Sequence, residues 1–119
     1  MPILTGHARL AGILGWPVAH SRSPLLHGTW LERHAIDGAY MPLPVRPERF
    51  ADAVRSLRDL GFRGANVTIP HKEAAFAVCD AVDATARRAG AVNTLAFRAD
   101  GLIHGSNTDG FGFLENVRA

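Results

Sequence analysis

Apolar runs of strand length alternate along this chain with segments of helical periodicity, and that alternation limits the fold more than any single motif. Arg9–Gly15 reads as a first strand, ending at Gly15-Trp16-Pro17. Ser23-Pro24 then opens a helix that runs to about Ala35, because serine is a favoured N-cap and proline is favoured at the first helical position. Leu26, Trp30 and Leu31 fall on one face of it. Asp37-Gly38 marks a turn into a second strand over residues 39–43, and a helix follows over residues 47–60, with Phe50, Val54 and Leu57 at helical spacing. Gly61 and Gly64 bracket the return into a third strand, residues 65–69, which Pro70 stops. Residues 72–78 and 81–89 read as short helices, the second closed by Gly90 as a C-cap. Strand, helix, strand, helix, strand is the order of a parallel α/β core. Residues 91–97 and 102–106, joined across Ala99-Asp100-Gly101, carry a hairpin signal that adds an antiparallel element. The expected fold is therefore α/β, with a mixed, mostly parallel sheet flanked by helices. A last helix is expected after Thr108-Asp109.

Composition removes several classes of function. A chain of 119 residues is long enough for one compact domain with a core. Hydrophobic residues at 47% and charged residues at 20% exclude a disordered or fibrous chain. The formal net charge is +2, and Arg87-Arg88 is the only adjacent basic pair. A nucleic-acid binder concentrates its charge into a patch or stripe, so no nucleic-acid partner is expected. The single cysteine, Cys79, excludes an intrachain disulfide and fits a reducing, cytoplasmic setting; it reads as a small buried apolar residue. Residues 10–19 are apolar but too short to span a bilayer. Pro17 interrupts that run, His7 and Arg9 make a weak basic flank, and no clean cleavage site follows, so it reads as a buried strand and its turn rather than a leader. The six histidines form no H-E-x-x-H pattern and no cluster with cysteine, so no metal site is expected. Gly110-Phe111-Gly112 begins like a dinucleotide fingerprint, but Glu115 stands at the third glycine position, and no complete G-x-G-x-x-G occurs.

Polar residues gather at or just after the ends of the expected strands: Ser21-Arg22-Ser23-Pro24, Asn66 to Lys72, Val92-Asn93-Thr94, and Ser106 to Gly110. In an open α/β sheet ligands bind outside the carboxyl ends of the parallel strands, so these groups are placed to converge on one cleft. Ser21 and Ser23 at a helix N-terminus have hydroxyls, and the helix has unpaired N–H groups, that suit a small anion; the alternative is that Ser23 only caps its helix. Lys72 at a helix start is poorly placed for the helix dipole. A buried lysine beside a carboxylate serves as a proton acceptor, and Asp109, at another strand-to-helix junction, is its natural partner unless it serves as an N-cap. Asn66, Thr68 and Asn93 suit the hydroxyls of a polyol, or else satisfy local turns.

Taken in order, Gly15-Trp16-Pro17-Val18, His20-Ser21-Arg22-Ser23-Pro24, Gly64-Ala65-Asn66-Val67-Thr68-Ile69-Pro70-His71-Lys72-Glu73, Gly90-Ala91-Val92-Asn93-Thr94-Leu95 and Gly105-Ser106-Asn107-Thr108-Asp109-Gly110 resemble the N-terminal, substrate-binding domain of the shikimate dehydrogenase family over nearly the whole chain. The resemblance implies an oxidoreductase that interconverts 3-dehydroshikimate and shikimate with NADP, a step of aromatic amino-acid biosynthesis. It implies that Ser21 and Ser23 bind the substrate carboxylate, and that Thr68, Lys72, Asn93 and Asp109 hold the ring hydroxyls. Lys72, paired with Asp109, would be the proton acceptor or donor at the reacting oxygen. Residues 1–119 are then one shikimate-binding catalytic domain. The Rossmann domain that binds NADP in the family is absent from this chain, so the chain is not expected to catalyse alone. A non-catalytic shikimate-binding module and a quinate or related polyol dehydrogenase remain open. Without its second half the chain is expected to self-associate through the end near Phe111 and Phe113.

Overall fold

β1 (Arg9–Gly15) has a parallel neighbour on each side: β2 (Gly38–Pro44), paired from Arg9↔Gly38 to Gly15↔Pro44, and β3 (Gly64–Val67), paired from Ala11↔Gly64 to Leu14↔Val67. The computed structural model describes residues 3–107. Ala11 to Gly15 are buried throughout, as expected of a strand covered on both faces. Parallel neighbours cannot be joined by tight turns, so the chain crosses over by helix each time. α1 (Ser23–Arg33) leads from β1 to β2. A single 3₁₀ turn at Pro47–Arg49 and then α2 (Phe50–Asp59) lead from β2 to β3.

Beyond β3 come α3 (Lys72–Val78), the two-residue β4 (Ala81–Val82), α4 (Ala84–Ala89), β5 (Thr94–Phe97) and β6 (Ile103–Ser106). The sheet has six strands in the order β2-β1-β3-β5-β6-β4. β5 runs antiparallel to both β3 and β6, while β4 and β6 are parallel. The mixed, mostly parallel α/β architecture expected from the sequence is what the structure shows. β2 lies at an edge, which is where a strand with Pro42 and Pro44 belongs, since proline has no N–H to give to a second neighbour.

The two faces of the sheet carry separate apolar clusters. On one, Leu31 of α1 packs with Ala11, Ile13 and Tyr40. On the other, Phe50, Val54 and Leu57 of α2, Ala75 of α3 and Ala86 of α4 pack with Leu14, Ala65, Val67, Leu95 and Ile103. The i, i+4, i+7 spacing of the α2 residues accounts for that seating. Cys79 is half-buried, and its thiol donates to the Ala75 carbonyl at 3.1 Å. Burial and then the Asp80 charge push its pKa up to about 11, so it stays a protonated packing group at neutral pH.

Boundaries differ from the sequence expectation in places with a local cause. The helix expected over residues 81–89 is split: Asp80 N–H donates to Ile103 O and Asp83 N–H to Gly105 O, which hold the first residues extended beside β6. The Asp83 carboxylate then accepts Ala86 N–H at 2.7 Å, an N-cap that fixes where α4 begins. Gly90 does close α4, in the left-handed region at φ 64°. α1 begins one residue earlier than a Ser23 cap would place it: Arg22 occupies the cap position and Ser23 is already helical. The third strand stops at Val67 rather than residue 69, where Thr68 turns to accept His71 N–H. The helix expected after Thr108-Asp109, and Phe111 and Phe113, lie outside the described residues. Among the described residues, no helix is long and apolar enough to cross a membrane.

Phe50 is 1% exposed and stacks on His71 with ring centroids 4.6 Å apart. Phe50→Ala is expected to lower the unfolding free energy by about 3–5 kcal/mol, read as a lower urea midpoint with an unchanged slope. A loss under about 1 kcal/mol, the range of surface substitutions, would contradict the packing described.

Candidate functional site

Because β5 alone opposes the others among the described strands, the carboxyl ends of β1, β2, β3 and β6 share one edge of the sheet with the amino end of β5. The register fixes this: Asn66 of β3 stands beside Thr94 of β5, and Thr94 beside Ser106 of β6. The polar segments singled out in the sequence therefore meet at one edge, where an α/β sheet binds its ligands.

Ser21 and Ser23, both half-buried, follow β1 at the start of α1. Ser21 N–H donates to Val18 O at 3.0 Å, and Ser21 Oγ accepts Ser23 N–H at 3.2 Å. The local turn-holding role expected of Ser23 thus belongs to Ser21. Its hydroxyl proton is left to donate outward.

From Tyr40 a line of side-chain hydrogen bonds crosses the sheet edge. Tyr40 O–H donates to Asn66 Oδ1 at 2.8 Å, Asn66 Nδ2–H to Thr94 Oγ1 at 3.4 Å, and Thr94 O–H to Asn93 Oδ1 at 2.9 Å. Asn93 Nδ2–H continues to Asn107 Oδ1 at 3.1 Å, and Asn107 Nδ2–H to Ala91 O at 3.4 Å. The Asn93 backbone joins the same edge, donating to Ser106 O and accepting from Val67 N–H. Every member is a neutral hydroxyl or amide, so the path fits neutral hydroxyls of a ligand without a buried charge to offset. Tyr40 had no role in the sequence reading, and Thr94 and Asn107 entered it only as members of the polar segments. Tyr40 carried the clearest signal: it is the only tyrosine in the chain, and a tyrosine within a strand core needs a partner for its hydroxyl.

Thr68 is half-buried directly after β3, its N–H bonded to Leu14 O at 2.9 Å. The Lys72 backbone is firmly held: its carbonyl accepts Val92 N–H at 2.9 Å, and the neighbouring His71, 1% exposed, donates Nε2–H to Val45 O at 2.6 Å. The Lys72 side chain, however, is exposed rather than buried, at the first residue of α3. Among the described residues it has no ion-pair partner, and its expected partner Asp109 lies outside them. Ser21, Ser23, Thr68, Lys72 and Asn93 all come to the same edge by their place in the topology, and Asn93 lies on the hydrogen-bonded path from Tyr40. Among the described residues no group of His, Cys, Asp and Glu is arranged to hold a metal ion. A hollow of about 500 Å³ lined by Arg58, Arg63, Phe97 and Arg98 lies at the opposite edge and includes none of these residues.

Comparison with known proteins places the chain. A family model described as the shikimate dehydrogenase substrate binding domain matches residues 13–95. A shikimate dehydrogenase (NADP(+)) of Acidiphilium cryptum is 71% identical over 98% of this chain. This chain spans 42% of that relative's length. Among solved structures, a shikimate 5-dehydrogenase from Thermus thermophilus in complex with shikimate is 42% identical, with a TM-score of 0.80 over 90% of this chain and 40% of that one. The ligand-free 5-ketofructose reductase of Gluconobacter sp. strain CHM43 is 31% identical, with a TM-score of 0.84 over 96% of this chain and 41% of that one.

His27, buried in α1, stacks on Tyr40 with ring centroids 4.2 Å apart and planes 10° from parallel. Burial lowers the His27 pKa below the ordinary 6.5. The same burial raises that of Tyr40. Because the folded His27 pKa is the lower one, its contribution to stability is present above the unfolded value and is lost as pH falls through the folded value. Compared with a His27→Phe variant, the protein is therefore expected to lose relative unfolding free energy as pH falls below about 6.5, the unfolded value. A pH-independent difference in urea titrations would contradict the neutral, buried imidazole.

Proposed function

The chain belongs to the shikimate dehydrogenase substrate-binding domain family, and from that membership we propose that it is the substrate half of an NADP-dependent shikimate dehydrogenase. The whole enzyme would interconvert 3-dehydroshikimate and shikimate in aromatic amino-acid biosynthesis, in the cytoplasm. The observation that carries this reading is the polar path from Tyr40 to Asn93 at the carboxyl edge, which lies within the span matched by the family model.

Ser21 and Ser23 donate to the substrate carboxylate at the N-terminus of α1, where the helix dipole favours an anion. Thr68 and Asn93 hold ring hydroxyls, and leaving any of these groups unpaired costs affinity for analogues that lack a hydroxyl. Lys72 holds or accepts the proton at the oxygen that changes oxidation state, with Asp109 as its partner. Its exposure in this half is consistent with a side chain whose surroundings are completed from the remaining length of the relatives.

NADP, named for the relatives, supplies the hydride chemistry when bound, but the residues of this chain do not fit it. No glycine-rich phosphate loop occurs in the sequence. The turn after β1, where such a loop would sit, is filled: a Cβ at Gly15 would meet Thr68 Cγ2 and Val18 Cγ1 at 2.6 Å. The cofactor therefore falls to a separate domain, and the residues here serve the substrate alone.

The likeness to a 5-ketofructose reductase favours a second reading, in which the same edge accepts a different polyol such as quinate. Kinetics of the protein in which this chain is joined to its cofactor half separate the two. Catalytic efficiency is expected to be higher with shikimate than with quinate. Lys72→Ala is expected to lower kcat for shikimate by about 10²–10⁴-fold, with a smaller change in KM. Near-normal turnover in that variant would remove Lys72 from the chemistry, and a preference for quinate would overturn the substrate.

A further inference from the structure

Thr94 has no part in the substrate contacts assigned above, yet its hydroxyl stands in the middle of the hydrogen-bonded line that reaches Asn93. It opens β5 and is 2% exposed. The line has one direction, and the Ala91 end decides it. A backbone carbonyl only accepts, so Asn107 must turn its Nδ2–H toward Ala91 O, at 3.4 Å. Asn107 then presents Oδ1 to Asn93, whose Nδ2–H donates to it at 3.1 Å. That leaves Asn93 Oδ1 on the Thr94 side, where it accepts the hydroxyl proton of Thr94 at 2.9 Å. With its one proton given away, Thr94 Oγ1 accepts Asn66 Nδ2–H at 3.4 Å, and Asn66 Oδ1 takes the phenol proton of Tyr40 at 2.8 Å. Reversing the line would set the side-chain oxygen of Asn107 against a carbonyl oxygen.

We propose that Thr94 is a positioning residue for a ring hydroxyl of the substrate, acting through the side-chain amide of Asn93. This rests on the reading of Asn93 as a ring-hydroxyl contact. The Asn93 backbone is held without help from the Thr94 hydroxyl: its N–H donates to Ser106 O at 3.1 Å, and its carbonyl accepts Val67 N–H at 2.8 Å. What those bonds leave open is rotation of the side-chain amide, whose two ends have nearly the same shape and opposite hydrogen-bonding roles. A half turn exchanges donor for acceptor. Thr94 holds the oxygen end and Asn107 the nitrogen end, so the amide is ordered before a ligand arrives, and binding does not bear the cost of ordering it. Without the Thr94 hydroxyl, the Asn93 oxygen and the Asn66 amide both lose a partner, and the Asn93 amide is free to turn.

The test is steady-state kinetics with shikimate on the protein in which this chain is joined to its cofactor half, comparing wild type, Thr94→Val, Thr94→Ser, Asn93→Ala and the Thr94→Val/Asn93→Ala double variant. Thr94→Val keeps the shape of the side chain and removes the hydroxyl. It is expected to raise KM about three- to tenfold, the range of one hydrogen bond, with kcat within about threefold. Thr94→Ser restores the hydroxyl and is expected to bring KM back to within about twofold of wild type. If Thr94 acts through Asn93, the double variant is expected to match Asn93→Ala in KM within about twofold. A general structural role would instead make the two penalties multiply and leave Thr94→Ser no better than Thr94→Val, and either result overturns the proposal. Circular dichroism checks each variant's fold. Should Thr94→Val misfold, Thr94→Ala, which also removes the hydroxyl, carries the same expected outcomes. A wild-type protein that does not turn over shikimate, or an unchanged KM in Asn93→Ala, overturns the reading of the site and this proposal with it. A raised KM in Asn93→Ala beside an unchanged KM in Thr94→Val overturns this proposal alone.

Discussion

Parallel pairing of β1 on both of its sides is the constraint from which the site follows. Two parallel neighbours oblige the chain to leave the carboxyl edge by helix and return at the amino edge each time. Every strand of that set then ends where the previous one ended. Antiparallel β5 restores the direction for β6 and brings its own amino end to the same place. Residues far apart in sequence, Tyr40, Asn66 and Asn93, are neighbours for this reason alone.

What the topology gathers is almost entirely uncharged. Hydroxyls and amides donate one to the next along one line from Tyr40 to Asn107. Such a line is inexpensive to bury because each member has a partner. The aromatic pair His27 and Tyr40 seats α1 against β2.

The repeating pattern of apolar runs was enough to read β1 and α3 to the residue, and the amphipathic spacing of Phe50, Val54 and Leu57 gave the buried face of α2. Long-range pairing decided where the reading failed. Ala81 and Val82 have neighbours in sequence that suit a helix, but hydrogen bonds from Asp80 and Asp83 to β6 hold them extended. No local propensity contains that partner. The same holds at the site. Ser21, Ser23, Thr68 and Asn93 stood out because polar residues clustered at strand ends, whereas Tyr40 lies inside an apolar strand and gains its role only from a register that puts Asn66 within reach. Lys72 stood out by its place at a helix start; its exposure there is something no feature of the local sequence specifies.

The central claim is that shikimate binds at the carboxyl edge of this sheet, along the line of neutral donors and acceptors. An NMR titration of the ¹⁵N-labelled chain with shikimate reads it directly, since the side-chain amides of Asn66, Asn93 and Asn107 are themselves reporters. Shifts concentrated on those amides and on the backbone of Ser21, Ser23 and Thr68 are the predicted result. Shifts gathered instead around Arg58, Arg63 and Arg98 at the opposite edge, or a folded chain with no shifts at saturating shikimate, would contradict it.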